Sequence, residues 1–504
     1  MPVRAERFVR EETRMAARQR RRRPTTVVPI ALVLLVLAGG VASYQWDLGN
    51  RWFGTGTPKG PDPTTQPAAV PPPPGVSIPA PSTPSAVAVA RAEDQDGGLA
   101  PRKVARVLAP LLADRDLGPH VVALVTDLST GDEVFRAGDA ARPASTTKLL
   151  TAAAALHVLG PDHRFTTKVV LEGHGKKRRL VLVGGGDPYL ASKPAPKGEP
   201  VYPHRADLRT LARTTARALA GQGVRRVRLA YDDSLFTGPQ ASPRWEKTYL
   251  PDGVVAPITA LWADEGHPAD GSGRVADPSL TAATYFAVEL RAAGLVVAGA
   301  PEHRVVGQDA TPVAELSSPP LAEIVERVLT VSDNEAAEVL AHQVGLATVG
   351  RASFAGGVKG VAQALTELGV RLDGDEWYDG SGLSRDNELD PGTLTDVLRA
   401  AASTEHPELR AVLSGLPVAG FTGSLEYRFA DVAPLARGHV RAKTGTLRNT
   451  AALAGVVTDQ DGSSAAFVLM ADRVALLKGT AAENALDAAA AALGGCHCSV
   501  GGAG

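Results

Sequence analysis

From about residue 93 onward, apolar and polar positions form short strand-like runs and longer helical runs. The run "HVVALVTDLSTGDEVFRAGD" predicts two strands around a turn at Ser129–Asp132. "PASTTKLLTAAAALHVLG", residues 143–160, predicts a helix, because its alanines and leucines favour helix and Gly160 ends it. The pattern therefore predicts an α+β fold in which helices pack on an antiparallel sheet.

The middle of this body follows a different pattern, in which strands and helices alternate. "RRLVLVGGGDPYL" and "VRRVRLAYDDSLF" are strand-like, and the helical run "LRTLARTTARALAGQG" lies between them. After residue 300 helices return, followed by three strand-like runs and a terminal helix. We therefore predict one domain from residues 93–165 and 301–495, an inserted α/β region at 166–300, and a tail at 496–504.

The N-terminal residues predict export. Residues 1–26 form a basic tail, with nine arginines against three glutamates in the first 23 residues. Residues 27–44 carry no charge and are long enough to cross a bilayer, and the basic flank favours a cytoplasmic N-terminus. This segment is either a transmembrane signal anchor in the cytoplasmic membrane or a cleaved signal peptide. Residues 45–92 then form a proline-rich linker, a spacer between membrane and body.

The amino-acid composition indicates a globular protein and argues against some kinds of partner. Hydrophobic residues make up 44% of the chain and charged residues 21%, as in globular proteins, and the net charge of −1 argues against a nucleic-acid partner. Cys496 and Cys498, with one histidine between them, cannot complete a tetrahedral zinc site, so we expect a frayed tail. Asp187, Asp232 and Asp233 are typical of turns. We predict no metal and no cofactor.

In the predicted helix at residues 143–160, Ser145 could be either a helix cap or a catalytic nucleophile. Ser145 can cap the helix, but Ser145 and Lys148 also form an S-x-x-K motif. Residues i and i+3 lie on one helix face, about 5–6 Å apart at Cβ, so the lysine can reach the serine hydroxyl. A serine becomes a good nucleophile only when a neighbouring base takes its proton.

Two further motifs follow in order. Ser332-Asp333-Asn334 lies in "TVSDNEAAEVL", and Lys443-Thr444-Gly445 lies in a strand-like run. Taken separately, the first reads as a helix cap and the second as a solvated strand lysine. Independent caps have no reason to produce all three motifs in this order, so we interpret the set as one catalytic site.

The chemistry assigns a role to each member of this site. Lys148 would be the base, with a pKa lowered by burial and by a second cation, Lys443. Backbone N–H groups of Ser145 and Thr446 would form the oxyanion hole.

The remaining members would handle the leaving group and the substrate. Ser332 would pass a proton to the leaving group, and Asn334 would hold a substrate carbonyl or orient the base. Lys443 and Thr444 would bind a substrate carboxylate, while Gly445 would let the substrate lie along the strand edge.

At this point the sequence resembles the active-site-serine penicillin-recognising enzymes. More narrowly it is similar to the D-alanyl-D-alanine carboxypeptidase/endopeptidase family, the class C low-molecular-mass penicillin-binding proteins. The stretches that carry the likeness are "LVGGGDP", "YDDSLF", "APITAL", "YDGSGLSRDN", "LPVAGFTGSLEYRF" and "RAKTGTLRNTAALAGVV".

The resemblance implies a transpeptidase-like, β-lactamase-like fold with inserted domains, and a cycle in which Ser145 is acylated by peptidoglycan stem peptides and by β-lactams. It also implies that Leu383 and Arg385 wall a pocket for the substrate side chain, with "SPRWEKTYLPDGVV" opposite. The rival interpretations are a β-lactamase or esterase of the same fold, and a non-catalytic peptidoglycan-binding protein.

Overall fold

The computed structural model describes residues 98–175, 178–268, 271–429 and 437–501. The predicted basic tail, membrane segment and proline-rich linker lie outside these residues. Within the described ranges, none of the helices combines the length and apolar character that a membrane crossing needs.

The described residues form ten strands and ten helices, with short 3-10 turns between them. The strands are β1 Val121–Asp127, β2 Glu133–Ala137, β3 Thr166–Glu172, β4 Arg179–Val183, β5 Arg226–Asp232, β6 Val296–His303, β7 Thr311–Ser317, β8 Val440–Leu447, β9 Thr450–Thr458 and β10 Ser464–Ala471. The helices are α1 Pro101–Leu112, α2 Lys148–Leu159, α3 Leu208–Gly221, α4 Pro278–Ala292, α5 Leu321–Val331, α6 Asn334–Val349, α7 Phe354–Glu367, α8 Pro391–Ala402, α9 Arg410–Ser414 and α10 Gly479–Gly495.

The first sheet is antiparallel, in the order β2-β1-β10-β9-β8. Its central strands are buried on both faces, as their continuous apolar sequences require. One face packs against α1 and α10, and the other against a helical layer that includes α2, α6 and α8. This layering places α2, which begins at Lys148, inside the core, and leaves β8 at the edge of the sheet.

The second sheet has the order β6-β5-β4-β3-β7. β4, β5 and β6 are parallel and are connected through α3 and α4, while β3 pairs antiparallel with both β4 and β7. The two helices share one hydrophobic cluster with this sheet. Its strands begin at Thr166, where the insertion was predicted to start, and continue past residue 300 to Ser317, so the sheet extends beyond the predicted boundary.

Helix starts follow local capping chemistry. Asp207, Asp277 and Asp390 each accept a backbone N–H bond from the first turn of α3, α4 and α8 respectively. Ser353 caps α7 in the same way. These bonds satisfy donors that a helix cannot satisfy internally.

The C-terminal tail is not frayed, contrary to our expectation, at least as far as residue 501. Cys496 and Cys498 form a disulfide, and Cys498 is buried. Its N–H donates to Asp459, its carbonyl accepts from the N–H of Ala100, and Ser499 pairs antiparallel with Leu99. The tail packs because it completes backbone hydrogen bonds with the start of the body.

Candidate active site

Ser145 lies in a 3-10 turn, Ala144–Thr147, directly before α2. No side-chain cap bond forms there, so Ser145 does not act as the helix cap. Ala144 has φ of 49°, a conformation that costs a non-glycine residue free energy. The loop at Gly382 packs closely against the backbone carbonyl of Ala144, since a Cβ at Gly382 would lie 1.9 Å from the oxygen of Ala144. The strained turn leaves the Ser145 side chain partly exposed.

Lys148 sits one turn further on and is wholly buried. Its Nζ lies 2.9 Å from Oγ of Ser145, as the S-x-x-K spacing predicted. It also contacts Oδ1 of Asn334 and the carbonyl oxygen of Ser381, each at 2.7 Å. Three acceptors fix the amine beside the hydroxyl from which it would remove a proton.

Burial is the main influence on the pKa of Lys148. Burial lowers the pKa of Lys148 to about 8, while nearby carboxylates, first Asp379 and then Glu338, act in the opposite direction. The pKa of Lys443 lies well below its usual range because of burial first, then the repulsion of Lys148 and Arg428. Desolvation is therefore the largest cause that brings the free amine of Lys148 within reach of neutral pH.

The second motif joins two helices. Ser332 ends α5 in the left-handed region, with φ of 62°, and Asp333 caps α6 by accepting from the N–H of Ala336 at 2.9 Å. The cap that the sequence allowed is therefore real, and it belongs to Asp333. Because Asp333 holds the turn, the side chains on either side of it are free to face the site: Ser332 meets Lys443, and Asn334 meets Lys148.

Lys443 is wholly buried on β8, not solvated. Its Nζ donates to Oγ of Ser332 and to the carbonyl of Thr444, both at 2.8 Å. Thr444 Oγ1 lies 2.8 Å from Oγ of Ser424. The amine of Lys443 and the hydroxyl of Thr444, its neighbour on β8, are donors of the kind that bind a carboxylate.

The outer edge of β8 is covered only over its first half by the described residues. Ala442 N–H donates to the carbonyl of Pro417, and the N–H of Ala419 donates to the carbonyl of Val440. Backbone groups alternate sides along a strand, so those of Thr444 and Thr446 also face this edge. An extended peptide can pair there, with the Thr446 N–H and the first-turn N–H of Ser145 as oxyanion donors.

Gly445 has a close contact that we did not predict. A Cβ at this position would lie 2.6 Å from the carbonyl oxygen of Pro143 and 3.0 Å from Cβ of Ala452. The glycine therefore allows the nucleophile turn to approach the strand closely, and its predicted role toward the substrate stays a prediction.

Leu383 and Arg385 occupy the loop predicted to wall the side-chain pocket. The side chain of Leu383 is buried in a hydrophobic cluster that includes Trp245 and Tyr249 of the inserted stretch. Arg385 forms an ion pair with Glu246 at 3.4 Å and donates to a backbone carbonyl at 2.9 Å. The loop and the inserted stretch are therefore in contact, through the buried side chain of Leu383 and through the partly exposed ion pair of Arg385.

The loop "YDGSGLSRDN" contributes functional groups that the sequence analysis did not identify. Asp379 is buried and accepts hydrogen bonds from the N–H groups of Gly382 and Ser384, from Asn387 and from the indole of Trp245. These bonds place the Ser381 carbonyl against Lys148. The loop carries part of the family resemblance, but no spacing rule predicts that its Ser381 carbonyl contacts Lys148, which is far away in the chain.

No group of three or more histidine, cysteine or carboxylate side chains among the described residues is arranged to hold a metal ion. Asp187 and Asp232 each accept a backbone N–H two residues ahead, the turn geometry that the sequence indicated. Asp233 binds Ser279 and His303.

A buried lysine beside a serine on a helix, a second serine–lysine pair and an open strand edge define a serine acyl-transfer enzyme. The profile of the D-Ala-D-Ala carboxypeptidase 3 (S13) family matches residues 104–269 and 266–493. The chain belongs to this family, and so to the serine-type D-Ala-D-Ala carboxypeptidases.

Individual relatives agree with this assignment. The chain is 36% identical over 405 residues to Carboxypeptidase DacB of Mycolicibacterium smegmatis, covering 79% of this chain and 85% of that protein. It is 31% identical over 428 residues to a D-alanyl-D-alanine carboxypeptidase of an Actinomadura species, covering 68% and 76%.

A solved structure confirms the fold. Penicillin binding protein 4 of Haemophilus influenzae superposes with a TM-score of 0.61 at 21% identity, covering 74% of this chain and 93% of that one. The same protein in complex with a β-lactam gives a TM-score of 0.56 at 22% identity. The predicted α+β, β-lactamase-like architecture with a second sheet is therefore confirmed.

Proposed function

We propose that this protein hydrolyses the terminal D-Ala-D-Ala bond of peptidoglycan stem peptides through an acyl-enzyme at Ser145. The observation that carries the proposal is the 2.9 Å contact between Lys148 Nζ and Ser145 Oγ, in a member of the carboxypeptidase family. The other lysine–serine pair lies close enough for the two lysines to influence each other electrostatically.

In the first step the neutral amine of Lys148 takes the proton of Ser145 as Oγ bonds to the carbonyl carbon of the penultimate D-alanine. The carbonyl π electrons move to its oxygen, where the N–H groups of Ser145 and Thr446 stabilise the negative charge; one such donor is typically worth about 10²–10³ in rate. Asn334 keeps the lysine in line with the hydroxyl.

In the second step the tetrahedral intermediate collapses and the C–N bond breaks. The departing amine receives a proton from Ser332, whose oxygen accepts a hydrogen bond from Lys443 and whose own hydrogen is therefore free to point elsewhere. The proton that Lys148 took from Ser145 replaces it on Ser332, so Lys148 is neutral again. D-alanine leaves. Lys148 then takes a proton from a water molecule as the water oxygen attacks the ester carbon, and it gives that proton to Oγ of Ser145 as the ester C–O bond breaks, which regenerates Ser145.

The substrate's terminal carboxylate binds beside Lys443 and Thr444. Both charges acting most strongly on Lys443, those of Lys148 and Arg428, are positive, so an arriving carboxylate supplies the missing negative charge. A β-lactam carries a carboxylate next to a strained amide, so the same donors would orient it for acylation of Ser145.

The site is expected to work outside the cell. The charge-free segment 27–44 and the proline-rich residues 45–92 support an enzyme tethered to the outer face of the cytoplasmic membrane, or secreted if the segment is cleaved. N-terminal sequencing of protein from the membrane fraction distinguishes the two states, since a retained anchor keeps the arginine-rich start.

The decisive experiment is labelling of the full-length chain with a fluorescent penicillin, with Ser145→Ala as the paired variant. We expect a covalent label on the native protein and none on the variant. The non-catalytic alternative predicts no label on either protein, and rapid turnover of the penicillin would favour a β-lactamase instead.

A product assay then defines the peptide reaction. The native protein is incubated separately with a stem pentapeptide and with a cross-linked peptide dimer, and the products are identified by mass. Release of D-alanine alone indicates a carboxypeptidase, and cleavage of the dimer adds endopeptidase activity. If neither peptide is cleaved while Ser145 still reacts with penicillin, the substrate assignment is wrong.

A further inference from the structure

Glu338 is a buried acid at the active site for which the catalytic cycle above has no role. It lies four residues after Asn334 on α6, so both side chains share one face of that helix. Its side chain is wholly buried. A buried carboxylate without a structural or chemical task is rare, because removing it from water is costly.

The carboxylate of Glu338 binds the loop that carries the Ser381 carbonyl. Oε1 accepts the N–H of Ser381 at 2.8 Å, and Oε2 accepts the N–H of Gly380 at 3.0 Å. The Ser381 carbonyl in turn accepts from Lys148 at 2.7 Å. One residue of backbone therefore links the acid to the general base.

The rest of the loop is equally constrained. The Gly380 carbonyl accepts from Thr151 Oγ1 on α2 at 2.7 Å. A Cβ at Gly380 would lie 2.6 Å from Cβ of Ala341 on α6, so no other residue fits there without a shift. The loop is held between the helix that bears Lys148 and the helix that bears Glu338.

The charges around Lys148 make this link electrostatic as well as geometric. Among the groups acting on its pKa, Asp379 and Glu338 come directly after burial, followed by Asp333 and Glu335. Burial first and then Asp379 raise the pKa of Glu338, whereas the hydrogen bonds from Ser381 and Gly380 lower it and stabilise the carboxylate. Because the two groups interact, a change in the charge of Glu338 changes the pKa of Lys148.

We propose that Glu338 is a positioning residue for the general base. Its carboxylate fixes the Gly380–Ser381 backbone against Lys148 and supplies a negative charge that stabilises the ammonium form once the proton of Ser145 has arrived. This inference rests on the proposed function, because it assumes that Lys148 takes that proton.

The test is the pH dependence of Ser145 acylation by a fluorescent penicillin in the Glu338→Gln variant, measured between about pH 5 and pH 10. Removing a negative charge favours the neutral amine of Lys148. The acid limb of the profile, which is the fall of the acylation rate at low pH, should therefore move to lower pH by about one unit or less. The rate on the plateau should fall by about tenfold, because the amide of glutamine cannot accept both N–H bonds.

Two further variants separate positioning from simple loss of structure. Glu338→Asp keeps the charge, so its acid limb should stay near that of the native protein even if its plateau is lower. Glu367→Gln makes the same chemical change on the half-exposed surface of α7 and should alter neither limb nor plateau. Circular dichroism reports whether each variant is folded.

The outcomes are distinct from those of the proposed function. If the native protein shows no acylation at Ser145, the proposed function fails. If the native protein is acylated with a clear acid limb and Glu338→Gln lowers the rate without moving that limb, or leaves both unchanged, Glu338 does not act on the base and this inference is overturned.

Discussion

The surroundings of Lys148 and Lys443 differ sharply, although both lysines are wholly buried and both contact a serine hydroxyl. Around Lys148 the strongest neighbouring charges are carboxylates, whereas around Lys443 they are cations. Burial lowers the pKa of both lysines, but only Lys148 has acids that partly restore it.

This difference indicates a division of labour between the two amines. The acids around Lys148 keep its ammonium form accessible, as a base that must accept and return a proton requires. Lys443 lacks such a counter-charge and gains one only when a carboxylate binds. The first lysine is prepared for chemistry, and the second for its ligand.

The largest effect should come from Lys148→Met. Methionine fills similar volume but cannot take the proton of Ser145, so the rate of acylation by penicillin should fall by about 10³–10⁴. Stopped-flow or gel labelling measures the rate, with circular dichroism to confirm folding. A variant that stays folded and reacts within tenfold of the native rate would rule out Lys148 as the base.

Lys443→Met should cost about 10²–10³ in acylation by a carboxylate-bearing penicillin, because a buried charged contact to the ligand is lost. Toward the methyl ester of the same penicillin the loss should be much smaller, since that ligand carries no carboxylate. Equal losses for acid and ester would show that Lys443 acts mainly through Ser332 or Lys148, and the division of labour would not hold.

Gly445→Ala tests how closely the Ser145 turn, which leads into the helix of Lys148, must pack against β8, which carries Lys443. The added methyl would meet the Pro143 carbonyl at 2.6 Å and push the Ser145 turn away from β8. Because small misplacements are costly in catalysis, we expect a loss of about 10–10² in acylation rate. Gly221→Ala, at the end of α3 with nothing within 4 Å of its Cβ position, is the matched control for the extra methyl.

The smallest effect should come from a change of one pH unit on the native protein. Lys148 acts in its neutral form and its pKa is lowered to about 8, so the acylation rate should rise with pH up to about 8 and fall by about tenfold per unit below it. A penicillin labelling series at constant ionic strength measures this limb. A rate that is flat from about pH 6 to pH 9 would mean that another group limits the reaction.

Local sequence rules predicted much of the site. The i, i+3 spacing brought Lys148 to Ser145, and the helix and strand patterns identified α2, α6 and β8 as the elements carrying the motifs. These predictions succeeded because each depends on contacts within a few residues or on a regular repeat.

What the sequence did not reveal depends on contacts between distant parts of the chain. The Ser381 carbonyl reaches Lys148 because Asp379 and Glu338 fold its loop, and no periodicity reports a backbone acceptor. Glu338 could have been suspected, since an acid one turn after Asn334 must lie on the same helix face. The packed tail was missed because its partner, the start of the body, is far away in sequence.

The half-covered edge of β8 also bears on how the protein avoids its own aggregation. An unpaired strand edge is a template on which other chains can add strands, yet an enzyme that binds an extended peptide cannot hide it. The pairing of residues 417–419 with the first half of β8 limits the exposure to a short stretch around Lys443–Thr446. Such a stretch can pair with the end of a peptide but is too short to pair stably with the edge strand of another sheet. The pairing of residues 417–419 with β8 therefore both shapes the binding groove and limits aggregation through this edge.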